Sequence, residues 1–198
     1  MTRAPTQTRA KRTRQQLLEA ARRVFAGRGY ATATVDDVAE AAGYSKGAYY
    51  FHFDSKEDAL LALLDEWARA RSRSLADASD GGRDARAALR ATLDALFAPD
   101  GGGRLLLEFW TQAQERPRVR RRLADAERSW RRPLAQALER AHAAGVLDAE
   151  PEALASVALA ISYGLALQAC LGGTSNAGRR ADAAMALLLP PRALRRAG

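Results

Sequence analysis

The side chains best suited to chemistry lie between Thr34 and Lys56, and their chemistry is recognition rather than bond-breaking. Thr34 precedes the acidic turn Asp36-Asp37, and Ser45 precedes Lys46-Gly47-Ala48-Tyr49-Tyr50. Hydroxyls so placed cap helix N-termini, whose unpaired N–H groups and positive dipole end favour phosphates. Gly43 is the natural left-handed stop between them. Two short helices joined by such a turn make a helix-turn-helix, which lays its second helix in the DNA major groove. That helix would present Lys46, Ala48 and Tyr50 outward, with Gly47 permitting close approach, while Val38, Ala42 and Tyr49 fill the wedge behind it. Plain packing of two short helices around a glycine has the same spacing, so spacing alone leaves both readings open. Bond-breaking chemistry has little to work with. Two His and one Cys, with no H-x-x-x-H, G-x-S-x-G or P-loop pattern, point away from an enzyme, and no metal or cofactor is expected.

The elements that must position these residues are helical. The 198 residues are rich in Ala and poor in Pro and aromatics, which favours an all-α chain. Leu17, Leu18, Ala21, Val24 and Phe25 form the stripe of a first amphipathic helix. Thr34 opens the second helix, Ser45 the third, and Ser55-Lys56-Glu57-Asp58 looks like a capping box opening a long fourth. Breaks at residues 80–82, 99–103, 145–151 and 172–178 separate five more, at 83–97, 104–114, 117–144, 152–171 and 179–189. About nine helices result. The expected organisation is a flexible basic arm at 1–12, a DNA-binding domain at 13–54, and a larger helical domain at 55–198.

Net charge is +8, unevenly spread. Residues 1–28 hold eight basic side chains against Glu19, whereas 29–60 hold two basic against six acidic. Electrostatic attraction to DNA should therefore come from the arm and first helix, where Arg3, Arg9, Lys11, Arg12 and Arg14 can reach backbone or minor groove. A second basic run from Arg116 to Arg132 reads as a solvated face. The single Cys170 fits a reducing cytoplasm, and the basic N-terminus continues without the apolar core of a secretory signal, so a cytoplasmic location is expected.

The run Thr34-Val35-Asp36-Asp37-Val38-Ala39, followed by Ala42-Gly43-Tyr44-Ser45-Lys46-Gly47-Ala48-Tyr49-Tyr50-Phe51-His52-Phe53-Asp54-Ser55-Lys56-Glu57-Asp58, resembles the DNA-binding region of TetR-family transcriptional regulators. The resemblance covers roughly residues 14–67. It implies an all-α homodimer whose three N-terminal helices bind a palindromic operator, with a C-terminal domain for ligand binding and dimerisation, and most often a repressor released by its ligand. Carried over residue by residue, it puts Tyr50, Lys56 and Thr34 on phosphates and Ser45, Lys46, Gly47 and Ala48 against base edges. Ala48 stands where Thr or Ser is frequent, which shifts base reading towards Lys46 and Tyr44. His52 reads as a packed aromatic.

Phe109, Trp110, Trp130, Tyr163 and Gln168 mix aromatics with polar groups on several helices, and are the candidates for a pocket holding a small, largely apolar effector. Ala153 to Leu171 carries no charge over 19 residues. Its Ala, Ser and Gly content suits burial between protein surfaces better than a membrane span. The expected homodimer seam therefore pairs this helix with the last one, through Val157, Ile161, Leu165, Met185 and Leu188.

Overall fold

The computed structural model describes residues 4–81, 84–98, 102–170 and 177–188. Among them are nine α-helices and no strand: α1 (Ala4–Arg28), α2 (Val35–Ala41), α3 (Lys46–Tyr50), α4 (Lys56–Asp80), α5 (Ala85–Phe97), α6 (Gly103–Glu115), α7 (Pro117–Ala143), α8 (Pro151–Cys170) and α9 (Ala177–Leu188). The all-α expectation holds. Helix α1 begins at Ala4, so residues 4–12 of the stretch expected as a flexible arm are helical, and residues 1–3 lie outside the described residues. Pro5 falls in the first turn, where its missing N–H costs nothing, and residues 6–14 contain no helix breaker.

The chain forms two compact units, Met1–Glu66 with Leu107–Leu123, and Trp67–Leu106 with Ala124–Gly198. Helices α4, α6 and α7 each contribute to both. In the first unit Leu17, Leu18, Phe25, Tyr30, Val38, Tyr49, Leu60 and Phe109 are buried. The second is built on Leu75, Leu89, Leu93, Trp130, Leu134, Leu138 and Leu159. Each such side chain contributes about 1.5–3 kcal/mol by leaving water.

The basic run on α7 is not simply solvated. Arg118 reaches Glu57 at 3.1 Å and Asp58 at 2.8 Å, Arg116 reaches Glu57 at 3.4 Å, and Arg122 grips Asp65 through two bonds of 2.5 and 2.6 Å. Three arginines thus pair with Glu57, Asp58 and Asp65 of α4 inside the first unit. Ser55 opens α4 as its spacing predicts: its Oγ accepts from the Asp58 N–H at 3.1 Å and donates to the Asp58 carboxylate at 2.7 Å. That hydroxyl, with Arg118, holds the Asp58 carboxyl below its usual range. A carboxyl depressed in the folded state stabilises it above an ordinary value of about 4, and the contribution is lost as pH falls through the depressed value. Titration from neutral towards pH ~3 should therefore loosen the start of α4, read as lower protection factors there once the fall of the intrinsic exchange rate with pH is divided out. Asp58→Asn should flatten the dependence, and an unchanged profile would count against it.

Candidate nucleic-acid interface

The turn between α2 and α3 is built locally. Thr34 and Asp37 form a complete capping box: Thr34 Oγ accepts from the Asp37 N–H at 3.1 Å, and the Asp37 carboxylate accepts from the Thr34 N–H at 2.8 Å. Gly43 takes φ +73°, and the Gly43 and Tyr44 N–H groups close on the carbonyls of Glu40 and Ala39, each at 2.9 Å. Ser45 Oγ accepts from the Ala48 N–H at 3.2 Å, opening α3. Val38 and Tyr49 fill the wedge; Ala42 is half-buried.

The outer side of α3 is open. Lys46 and Gly47 are exposed, Ala48 is half-buried, Tyr50 is 47% exposed, and Phe51 just past the helix is 79% exposed. Phe51 is an exposed aromatic beside the interface that the sequence pattern did not single out as a site residue. Lys46 Nζ lies 2.9 Å from Asp36 of α2, an exposed pair that steers the ammonium without burying it.

Four candidates sit differently from expectation. Lys56 does not offer its ammonium outward: Nζ donates to the carbonyls of Tyr30 and Ala33, each at 2.7 Å, and to that of Ala31 at 3.4 Å. All three of its donors are engaged within the first unit, and burial together with nearby Arg116 lowers its pKa. Tyr44 is tied back to α1, its phenol donating to Gln16 Oε1 at 2.6 Å. Arg14 lays its guanidinium over the Phe53 ring, 4.9 Å from the centroid. The Thr34 hydroxyl donates to Asp37 at 2.8 Å, placing an acid beside the proposed phosphate seat. His52 packs edge-on to Phe51 at 5.0 Å, and burial, with Arg14, lowers its pKa.

The effector candidates divide between the units. Phe109 and Trp110 belong to the first unit, where adjacent positions on α6 point them apart: Phe109 is fully buried and Trp110 is 42% exposed. Trp130 and Tyr163 belong to the second and are brought together, the indole N–H donating to the Tyr163 hydroxyl at 3.2 Å. Trp67 joins them, edge-on to Trp130 at 4.9 Å. Burial raises the Tyr163 phenol to about 12. Gln168 is exposed, five residues and so about 140° round α8 from Tyr163. The two do not converge. Pattern reading also missed Arg71, which donates to the Leu96 carbonyl at 2.9 Å and to Ser162 Oγ at 2.7 Å.

On α8 the exposed residues are Glu152 in the first turn and then Ala153, Ser156, Val157, Ala160, Leu167 and Gln168, an uncharged stripe that also passes over Gly164. Val157 is 50% exposed, whereas Ile161 and Leu165 lie at its edge, half-buried. Leu188 is only 6% exposed and packs inward, so its neighbour Leu187 carries the outward side of α9. The Met185 side chain lies outside the described ones.

Fold and interface together define an all-α protein with an N-terminal helix-turn-helix and an open recognition helix. Residues 17–63 match the family described as bacterial regulatory proteins, tetR family, and residues 85–189 match the BetI-type transcriptional repressor C-terminal family. The chain belongs to the TetR family. It is 48% identical over 60 residues to the HTH-type transcriptional regulator TtgR of Pseudomonas putida, a match covering 30% of this chain and 29% of that one. It is 38% identical over 99 residues to the HTH-type transcriptional activator FasR of Mycolicibacterium smegmatis, covering 48% and 45%. These matches span less than half the length of either relative. A transcriptional regulator from Saccharomonospora viridis, solved in complex with choline, superposes with a TM-score of 0.78 at 26% identity, covering 88% of this chain and 94% of that one.

Proposed function

We propose that this protein binds a palindromic operator duplex as a homodimer and represses transcription until a small, largely apolar molecule releases it. The observation that carries the reading is the open face of α3, with Lys46, Ala48, Tyr50 and Phe51 held outward by two capped helix starts and the Gly43 turn. Ser45, Lys46, Gly47 and Ala48 meet base edges, and Tyr50 meets a phosphate. The N-terminal half of α1 adds exposed Arg9, Lys11 and Arg12 for neighbouring phosphates. Lys56 contributes by fixing the loop before α2 rather than by touching DNA.

The second copy covers the uncharged stripe of α8 and the Leu187 side of α9, which a lone chain leaves in water. Repression is favoured by the match of the C-terminal half to a repressor family. Activation is the second reading, because FasR is named an activator. The choline complex of the S. viridis relative supports a small-molecule effector, and in this chain the Trp130–Tyr163 pair is the place to look for one.

The test compares the unaltered chain with Lys46→Ala on one pool of random-sequence duplexes. Lys46→Ala should weaken the selected site by about 1–3 kcal/mol and relax preference at one or two positions of each half-site. An identical selected consensus for both proteins would remove Lys46, and with it this orientation of α3, from base reading.

A further inference from the structure

The loop between α1 and α2 belongs to neither helix, yet it sets the position of Thr34 and hence the attitude of α2 and α3. Its main-chain groups find partners from far along the chain. Gly29, at φ +83°, donates to the Phe25 carbonyl at 3.0 Å, and the Ala33 N–H donates to the Gly29 carbonyl at 3.2 Å. The carbonyls of Tyr30 and Ala33 go to Lys56 of α4, as above. The Tyr30 N–H goes to Glu108 of α6, 3.0 Å from Oε2 and 78 residues distant in sequence.

Gly29 and Glu108 fit one another. The second carboxylate oxygen lies over Gly29, where an added Cβ would stand 3.4 Å from it. Gly29 thus supplies the left-handed turn, and the acid lies at contact distance from it. The Tyr30 ring is pinned as well, edge-on to Phe25 at 5.2 Å and under the ammonium of Lys56 at 4.4 Å. The loop is clamped by an anion on its amide and a cation on its carbonyls. Hydrogen bonds to charged groups are stronger than neutral ones.

We infer that Glu108 is a positioning residue for operator binding: through the Tyr30 amide it fixes the α1–α2 loop, and so Thr34 and α2, directly to α6. A displacement of α6 at Glu108 then reaches the α1–α2 loop through this bond. The inference rests on the operator reading above.

The experiment uses the full-length chain and a duplex selected from a random pool by the unaltered protein. Glu108→Ala and Glu108→Gln remove the same negative charge, which alone would favour DNA. They differ in that the Gln carbonyl still accepts from Tyr30. Glu108→Ala should bind the duplex about tenfold more weakly, while Glu108→Gln should stay within about threefold of the unaltered chain. In the absence of DNA, exchange of the Tyr30 amide should be fast in the Ala variant and slow in the Gln variant, with helix content equal in all three. Equal duplex affinity for all three proteins, or an equally protected Tyr30 amide, would overturn the role of Glu108 alone. Failure of the unaltered chain to enrich any duplex would overturn the operator reading and this inference with it.

Discussion

Replacing Tyr49 with Ala is expected to cost the first unit about 3–5 kcal/mol and to abolish duplex binding. Tyr49 is wholly buried, packs against the rings of Tyr50 and Phe53 at 5.7 and 5.4 Å, and donates its phenol to the Ser55 carbonyl at 3.1 Å. It therefore joins the recognition helix to the start of α4. Burial pushes its phenol up, further from any ionisation near neutral pH. Tyr49→Phe keeps the packing and removes one hydrogen bond, so it should cost only about 1 kcal/mol. Hydrogen exchange across residues 17–64, followed with duplex affinity, separates the two variants. A Tyr49→Ala protein within about 1 kcal/mol of the unaltered chain would show that α3 is held some other way.

Placing Glu at Val157 or Ala160 should split the proposed homodimer. Both lie on the exposed stripe of α8, and a charge forced into that seam without a partner costs about 3–5 kcal/mol. Dimer affinity should fall by a hundredfold or more, to roughly 10³-fold. Light scattering at micromolar concentration should report a dimer for the unaltered chain and a monomer for either variant. Duplex affinity should fall with it, because a monomer reaches only one half-site. A dimer that survives both substitutions would move the seam away from α8.

The helix-turn-helix was legible because its determinants are local. Thr34 with Asp37, Gly43, and Ser45 with the Ala48 N–H each act across three residues or fewer, and hydroxyl caps and glycine stops leave their mark on sequence at that range. Residues whose partners lie far away were not legible. Lys56 is turned inward by carbonyls 23–26 residues earlier, Tyr44 by Gln16, and Glu108 by an amide 78 residues back. The arginines of α7 find their acids on α4 some 57–60 residues away. Periodicity predicts which face of a helix is apolar but fixes its direction only to within a residue or so. For that reason the outward faces of α8 and α9 carry Val157, Ala160 and Leu187, whereas Ile161 and Leu165 are half-buried and Leu188 is buried.

The central claim, that α3 reads one half of a symmetric duplex while a second copy reads the other, is tested most directly by enrichment from random-sequence duplexes with the full chain. The enriched duplex should be a palindrome whose half-sites lie about 34 Å apart or a multiple of that, bound two chains to one duplex. Affinity should fall steeply with salt while sequence preference persists. Enrichment of no sequence, or of a single asymmetric site bound by one chain, would contradict it.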